Sequence, residues 1–372
     1  MKHLTTLGLI AGLLTAGWLF VSSGLEDVGT AVLAAGWGTL LVVAARAAAV
    51  AWAGLGWFAI FPAAGRPSVA TCVGLRFVRE GINTLLPVAT VGGDFIGARL
   101  LAKRGVSGGL AGASMFVDLM TQAVTQLLFT VAGLAILVVL VGDGPIARTV
   151  AGGLAVAVPA VGAFYLIQRR AGHRLIQGLI SRFASGREWR ALGAVDVLYD
   201  SLRSLYARPS RILGGIAVHF FGWIIGTLEV YVCLHFMGYP VSFGEALVIE
   251  SLAQAVRGAA FAVPGALGAQ EGGLIALCGL FGIPAEVALA LSLVKRFADL
   301  CVGVPGLIGW HLLDRKDRAE GVEERAATLD RRLQPVLQPA TLGPFYSYAP
   351  PRSAAHGGRS GEAERGEMRK CA

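Results

Sequence analysis

The feature that most constrains this chain is a pair of interrupted apolar segments, 177 residues apart, that share one punctuation: Pro87-x6-Asp94-x10-Gly105-Val106 and Pro264-x6-Glu271-x10-Gly282-Ile283. Each reads as a broken helical hairpin, interrupted at Pro87, Gly92 and Gly93 in the first case and at Pro264, Gly265 and Gly268 in the second. Helix-breaking Pro and Gly beside a carboxylate are tolerated at hydrocarbon depth only where the segment is buried in protein or lines a watery cavity. Corresponding interruptions in two halves of a membrane chain point to a transport site.

The membrane setting follows from hydropathy. Hydrophobic residues make up 55% of the 372 positions, charged residues only 15%, and the mean hydropathy is +0.65, outside the range of soluble domains. Runs such as Leu7 to Val21 and Leu127 to Val141 are continuously apolar, so the expected spans are helices rather than the alternating strands of a barrel. The formal charge of +8 is concentrated in two places. Residues 168–211 hold nine Arg against three acids, and residues 314–372 hold eleven Lys or Arg against nine acids. Basic clusters beside membrane spans predict cytoplasmic surfaces facing anionic lipid, and argue against nucleic acid as a partner. The five cysteines are scattered without metal-ligand spacing, so neither a metal nor another cofactor is expected.

Along the chain the order is span, span, broken hairpin, span, and then the same again. The first unit runs through Leu7 to Val21, Ala31 to Phe61, Ser68 to Arg104 and Gly108 to Val141. Its first segment is either an uncleaved span, which keeps the repeat whole, or a signal peptide cut near Val21-Ser22-Ser23. The second unit runs through Ala147 to Ile167, Ile212 to Met237, Ser242 to Gly282 and Ala285 to Leu313. Each unit crosses an odd number of times, so the second is upside down relative to the first. The predicted fold class is an all-α integral membrane protein of two inverted repeats, each of three transmembrane helices plus a broken hairpin, with both termini cytoplasmic. Hairpins that re-enter and hairpins that cross fully give the same loop sidedness, and both stay open. The membrane domain is 1–313. Residues 314–372, charged and Pro-rich, are expected to form a disordered cytoplasmic tail. Within the basic segment 168–211, Leu175, Ile176, Leu179, Ile180 and Phe183 share one helical face, which suits an interfacial helix on anionic lipid or a small self-packed hairpin.

Polar residues cluster around the breaks. Arg76, Arg79, Glu80 and Asn83 fall on one face of the helix before Pro87, and Glu250, Gln254 and Arg257 form a looser equivalent before Pro264. Two readings apply: buried ion pairs that lock the hairpins, or a polar cavity whose Arg79 and Arg257 hold an anionic head-group through the planar guanidinium fork. On the second reading Arg76, Arg79, Asn83, Gln254 and Arg257 bind substrate, and Glu80, Asp94, Glu250 and Glu271 are cavity or proton-carrying acids. Asp94 and Glu271 follow glycine-rich breaks where half-helices should start, so each is a helix-capping group or a proton carrier. Asp118, Gln122 and Gln126, and the cluster Lys295, Arg296 and Asp299, are expected to satisfy the cavity wall. His219, His235, Glu229 and Arg46 stand isolated and are read as structural.

At these motifs the sequence resembles a known family. Asn83-x3-Pro87 to Gly92-Gly93-Asp94, and above all Val263-Pro-Gly-Ala-Leu-Gly-Ala-Gln-Glu-Gly272, are similar to the lysylphosphatidylglycerol synthase transmembrane family, the flippase-like domain, over about residues 1–313. Gln270, where many members carry Arg, together with Arg79-Glu-Gly-Ile-Asn83 and Ser292-Leu-Val-Lys-Arg296, resembles the hopanoid-biosynthesis-associated branch. The resemblance implies a bacterial inner-membrane protein that moves a hopanoid or phospholipid, and it carries importance onto Arg79, Asn83, Asp94, Arg257 and Glu271. Since 59 residues follow Leu313, the soluble aminoacyl-transferase domain of full-length synthases is not expected, nor is enzyme activity. The alternatives are a non-transporting scaffold for hopanoid-modifying enzymes and a membrane-embedded lipid-modifying enzyme. For the latter, Val91 occupies the first glycine position of the intramembrane aspartyl protease motif and Tyr199-Asp200 falls in the predicted cytoplasmic loop. No nucleotide-binding loop is present, so transport would draw on an ion gradient or an external partner.

Overall fold

A computed structural model describes residues 14–63, 65–86, 92–169, 172–174, 189–260 and 263–337. Among these, all regular structure is helical: residues 14–22 (α1), Leu25–Ala35 (α2), Gly38–Ile60 (α3), Val69–Leu85 (α4), Gly92–Ala102 (α5), Gly108–Val141 (α6), Pro145–Ile167 (α7), Trp189–Tyr206 (α8), Pro209–Phe236 (α9), Phe243–Ala259 (α10), a single 3-10 turn Pro264–Ala266, Ala269–Gly279 (α11) and Ala285–Leu337 (α12). Four of them, α3, α6, α7 and α9, are long and apolar enough to cross a membrane. The chain is an all-α integral membrane protein. None of the most apolar stretch of α7 is buried, and Val156, Val158, Leu166 and Ile167 on it are exposed, as suits a helix whose solvent is lipid.

Local chemistry sets the boundaries. Ser68, Ser107 and Ser242 cap α4, α6 and α10, their hydroxyls accepting the amides of Thr71, Leu110 and Glu245. Pro145 and Pro209 open α7 and α9 at positions that need no amide donor. Both hairpins end on a left-handed glycine, Gly105 (φ 90°) and Gly282 (φ 70°). The paired interruptions therefore appear as two helical hairpins of equal parts: 17 residues then 11 in α4/α5, and 17 then 11 in α10/α11. Residues 87–91, Pro87 included, lie outside the described residues, as do 175–188 with the expected interfacial face and 338–372 of the tail.

One expectation is corrected, and the helical backbone runs further than the sequence suggests. The run Ala31 to Phe61 is not one helix, because Gly36 takes a left-handed conformation (φ 44°) and divides it into α2 and α3. The backbone also stays helical past Leu313, where a disordered tail is predicted, and continues to Leu337. Residues 316–337 are rich in Ala, Glu, Arg and Leu, which are strong helix formers, and proline returns only at Pro335. They belong to a second unit beginning at Lys316, and the rest of this description concerns the first, which ends at Arg315.

Apolar side chains form two cores. One joins Val28, Val42, Leu137, Val230, Ile249 and Leu274 with the early part of α12. The other joins Trp57, Phe61, Leu75, Leu101, Val117 and Leu202, with Leu307 and Trp310 packed against it. Each of α3, α6 and α12 contributes to both, and their charged residues fall between. Packing is crossed: the first hairpin's α4 lies on α12, and the second hairpin's α10 lies on α6. At the α4–α12 crossing the helices touch through backbone, since a Cβ on Gly81 would stand 2.4 Å from the Gly303 carbonyl oxygen and one on Gly306 would stand 2.1 Å from that of Phe77.

Candidate functional site

The first hairpin is braced internally. Arg79, fully buried on α4, donates from Nε to Asp94 Oδ1 (2.7 Å) and from Nη2 to Asp118 Oδ2 of α6 (2.7 Å). Nη2 also pairs with Asp94 Oδ1. Asn83 spans the hairpin: its Nδ2 donates to Asp94 Oδ2 (2.9 Å) and its Oδ1 accepts the Gly93 amide (2.7 Å). The Arg79 guanidinium lies over Trp57 at 4.6 Å. Asp118 further accepts from Gln122 Nε2 (2.9 Å) and meets His219 Nε2 of α9 at 3.0 Å.

The second hairpin solves the same problem with other parts. Glu271 Oε2 accepts the Gly268 amide (2.7 Å), closing the start of α11, and Oε1 accepts from Ser292 Oγ (2.9 Å) and from Arg296 Nε and Nη2 (2.9 and 2.6 Å). Nearby, Lys295 Nζ stands 2.8 Å from both Glu229 Oε2 of α9 and Glu250 Oε2 of α10. Gln254 donates to Glu250 Oε1 (2.8 Å).

Between the hairpins a third cluster surrounds Arg46 of α3. Its Nη2 donates to Glu80 (2.7 Å), while its Nε lies 2.8 Å from Asp299 of α12 at an angle too poor for a hydrogen bond. Arg76 reaches Glu80 at 3.3 Å and Asp118 at 4.0 Å, with its own Nε unpartnered among the described residues. Arg257 reaches Asp299 at 3.5 Å and keeps 28% of its side chain exposed.

These side chains wall a cavity of about 260 Å³. Of the predicted residues, Arg76, Glu80, Asn83, Glu250, Gln254 and Arg257 line it. Arg79, Asp94 and Glu271 do not: all three are buried in the braces, with their charges already met. That arrangement sets Arg79, Asp94 and Glu271 apart from the residues on the cavity wall. The half-helix caps are likewise divided, since Glu271 caps its own helix whereas the Gly93 amide is met by Asn83 rather than by Asp94. Arg46, His219 and Glu229, read as isolated, all line the cavity. The signal for Arg46 lay in its cost: a lone guanidinium in an apolar helix carries a penalty of about 2.5–3.5 kcal/mol unless it finds a partner.

The hairpins also repeat in register. Counted from the capping serines Ser68 and Ser242, Arg76 matches Glu250, Glu80 matches Gln254 and Asn83 matches Arg257. Counted from Gly105 and Gly282, Asp118 matches Lys295 and Gln122 matches Asp299. Two of the matched positions exchange the sign of their charge.

Comparison with known proteins gives the same membrane assignment. The family model described as the lysylphosphatidylglycerol synthase TM region matches residues 6–306. A UPF0104 membrane protein of Methanothermobacter thermautotrophicus is 25% identical over 239 residues, covering 60% of this chain and 69% of the relative. No solved structure matches the chain.

Proposed function

The chain belongs to the lysylphosphatidylglycerol synthase transmembrane-region family, and from that premise we propose that it is a lipid transporter, moving a phospholipid or hopanoid across the bacterial inner membrane rather than modifying it. The observation that carries the reading is the charged cavity between the two hairpins. At about 260 Å³ it is smaller than the roughly 300–1,000 Å³ pockets that enclose drug-sized ligands, and a polar head-group would fill it while the tails stay in lipid. Arg76 and Arg257 are the head-group contacts: they face the cavity with guanidinium donors that their present partners leave unused. Asn83 and Gln254 add neutral donors and acceptors on the same walls.

In this reading the repeated hairpins are inverted relative to each other and enter from opposite faces, with both termini and the basic segment 168–211 cytoplasmic. The basic segment then meets anionic lipid at the surface. A scaffold for lipid-modifying enzymes would have no use for partly satisfied arginines on a cavity wall. The test is leaflet-resolved transfer of fluorescent phosphatidylglycerol, with a hopanoid assayed in parallel, in vesicles with and without the protein. Transfer that rises with protein and falls at least about tenfold in Arg76→Gln, an asymmetry of about 1.4 kcal/mol, supports it. Equal transfer with and without protein for both lipids would remove it.

A further inference from the structure

We infer that Glu229, Glu250 and Lys295 form a proton site linked to the head-group site, so that an anionic lipid and a proton enter the cavity together. The inference rests on the transport reading above. Its basis is an uneven sharing of charge across the cavity. On one side Arg46, Arg76 and Arg257 share two carboxylates, Glu80 and Asp299, and the third acid in reach, Asp118, stands 4.0 Å from Arg76 and is already held by Arg79, so one of the three cations has no carboxylate of its own. On the other side Lys295 alone meets Glu229 and Glu250, leaving one anion in excess. The lysine and both glutamates are buried, at 6%, 2% and 2% exposure, yet Glu229 and Glu250 both reach the cavity wall. Left empty, the two sides compensate each other.

An anionic phosphodiester seated on Arg76 and Arg257 takes up the excess positive charge, and the excess carboxylate then has no compensation in a low-dielectric interior. Burying an uncompensated charge is among the costliest events available to a protein. The carboxylate is relieved by taking a proton from cavity water: a hydronium gives its proton to one glutamate oxygen, leaving a neutral acid and water. Linkage is reciprocal, so a proton on this pair must in turn tighten lipid binding by the same factor.

The charged and titratable groups facing the pair are Arg46 from α3, Arg76 and Glu80 from α4, Arg257 from α10, and Lys295 and Asp299 from α12. His219, on the same helix as Glu229, also lines the cavity and is the competing proton site, since Arg79 faces both Asp94 and Asp118 and a protonated His219 would balance that cluster.

The experiment titrates dioctanoylphosphatidylglycerol into the detergent-solubilised full chain by calorimetry at pH 6 and pH 8, in two buffers of different ionisation enthalpy at each pH. The buffer dependence of the heat gives the protons taken up per lipid bound. The expectation is an uptake approaching one proton per lipid at pH 8 and about tenfold tighter binding at pH 6. The uptake should fall in Glu229→Gln and in Glu250→Gln and persist in His219→Gln. Lipid binding without proton uptake in the unaltered protein would overturn the inference while leaving the transport reading intact; this arm needs no variant to fold. Uptake that disappears with His219 and survives both glutamate changes would overturn the assignment. Absence of binding at both pH values would overturn the head-group reading and the linkage with it.

Discussion

The two hairpins are built to the same lengths and hold their acids in the same register, but they neutralise them in opposite ways. In the first, the cation comes from within the hairpin: Arg79 of α4 holds Asp94 of α5, and the partner on the following long helix is an acid, Asp118. In the second, the cation comes from outside: Arg296 of α12 holds Glu271, and the following helix also supplies Lys295 to Glu250 of α10. Asp118 and Lys295 occupy matching positions with opposite charge. What the two hairpins share is therefore a buried cation set between acids, whichever helix carries which sign. A further contrast is solvent access. Arg79 has 1% of its side chain exposed, and Arg296 has 27%.

The largest expected effect breaks the first brace. Arg79→Ala strands Asp94 and Asp118 together without their shared cation, and loss of one partner from a buried ion pair costs about 3–5 kcal/mol. Folded protein should be largely lost in fluorescence-detected size exclusion, and Asp94→Asn in the same chain should restore part of it. Arg296→Ala, whose partner keeps the Gly268 amide and Ser292 hydroxyl, should cost clearly less. Equal losses would mean that exposure does not distinguish the hairpins.

A smaller pair of effects sharpens the comparison at the acids. Asp94→Asn leaves a buried guanidinium with one carboxylate instead of two, whereas Glu271→Gln frees a guanidinium that can turn to water. Charged hydrogen bonds contribute about 1.5–3 kcal/mol each, so Asp94→Asn should lower the thermal midpoint more than Glu271→Gln. The reverse order would show that capping at Gly268 outweighs the ion pair. Smallest in stability is Arg257→Gln: its contact with Asp299 is long and partly exposed, worth less than about 1 kcal/mol. Lipid transfer at matched protein levels should nevertheless fall sharply, separating a cavity arginine from a brace arginine.

How much of this was legible in the sequence depends on how far each signal reaches. The hairpins were legible because Pro, Gly and a carboxylate recur at fixed spacing, and because serine caps and left-handed glycines act locally. The division of α2 from α3 was missed because Gly36 sits among small apolar residues that look like continued helix. The cavity was only half legible. Arg76, Glu80, Asn83, Glu250, Gln254 and Arg257 show helical periodicity, but Arg46, His219 and Glu229 are single polar residues whose partners lie 34, 101 and 66 residues away. Periodicity cannot report such pairs. The place of Arg79 was hidden for the opposite reason: it shares a helical face with cavity residues, yet Gly97 lets α5 lie directly against its side chain.

The contact between Arg79 and Asp118 also bears on how the protein is made. Helix α4 carries Arg76, Arg79 and Glu80, and three such charges would cost on the order of 8–10 kcal/mol at the centre of a bilayer without partners. One of the two acids that neutralise Arg79 emerges from the ribosome 39 residues later. Helix α4 thus has no stable place in lipid on its own, and biosynthesis must hold it at the insertion machinery or the interface until α6 follows. The expectation is that the first hairpin enters the membrane as a group with α6, not helix by helix.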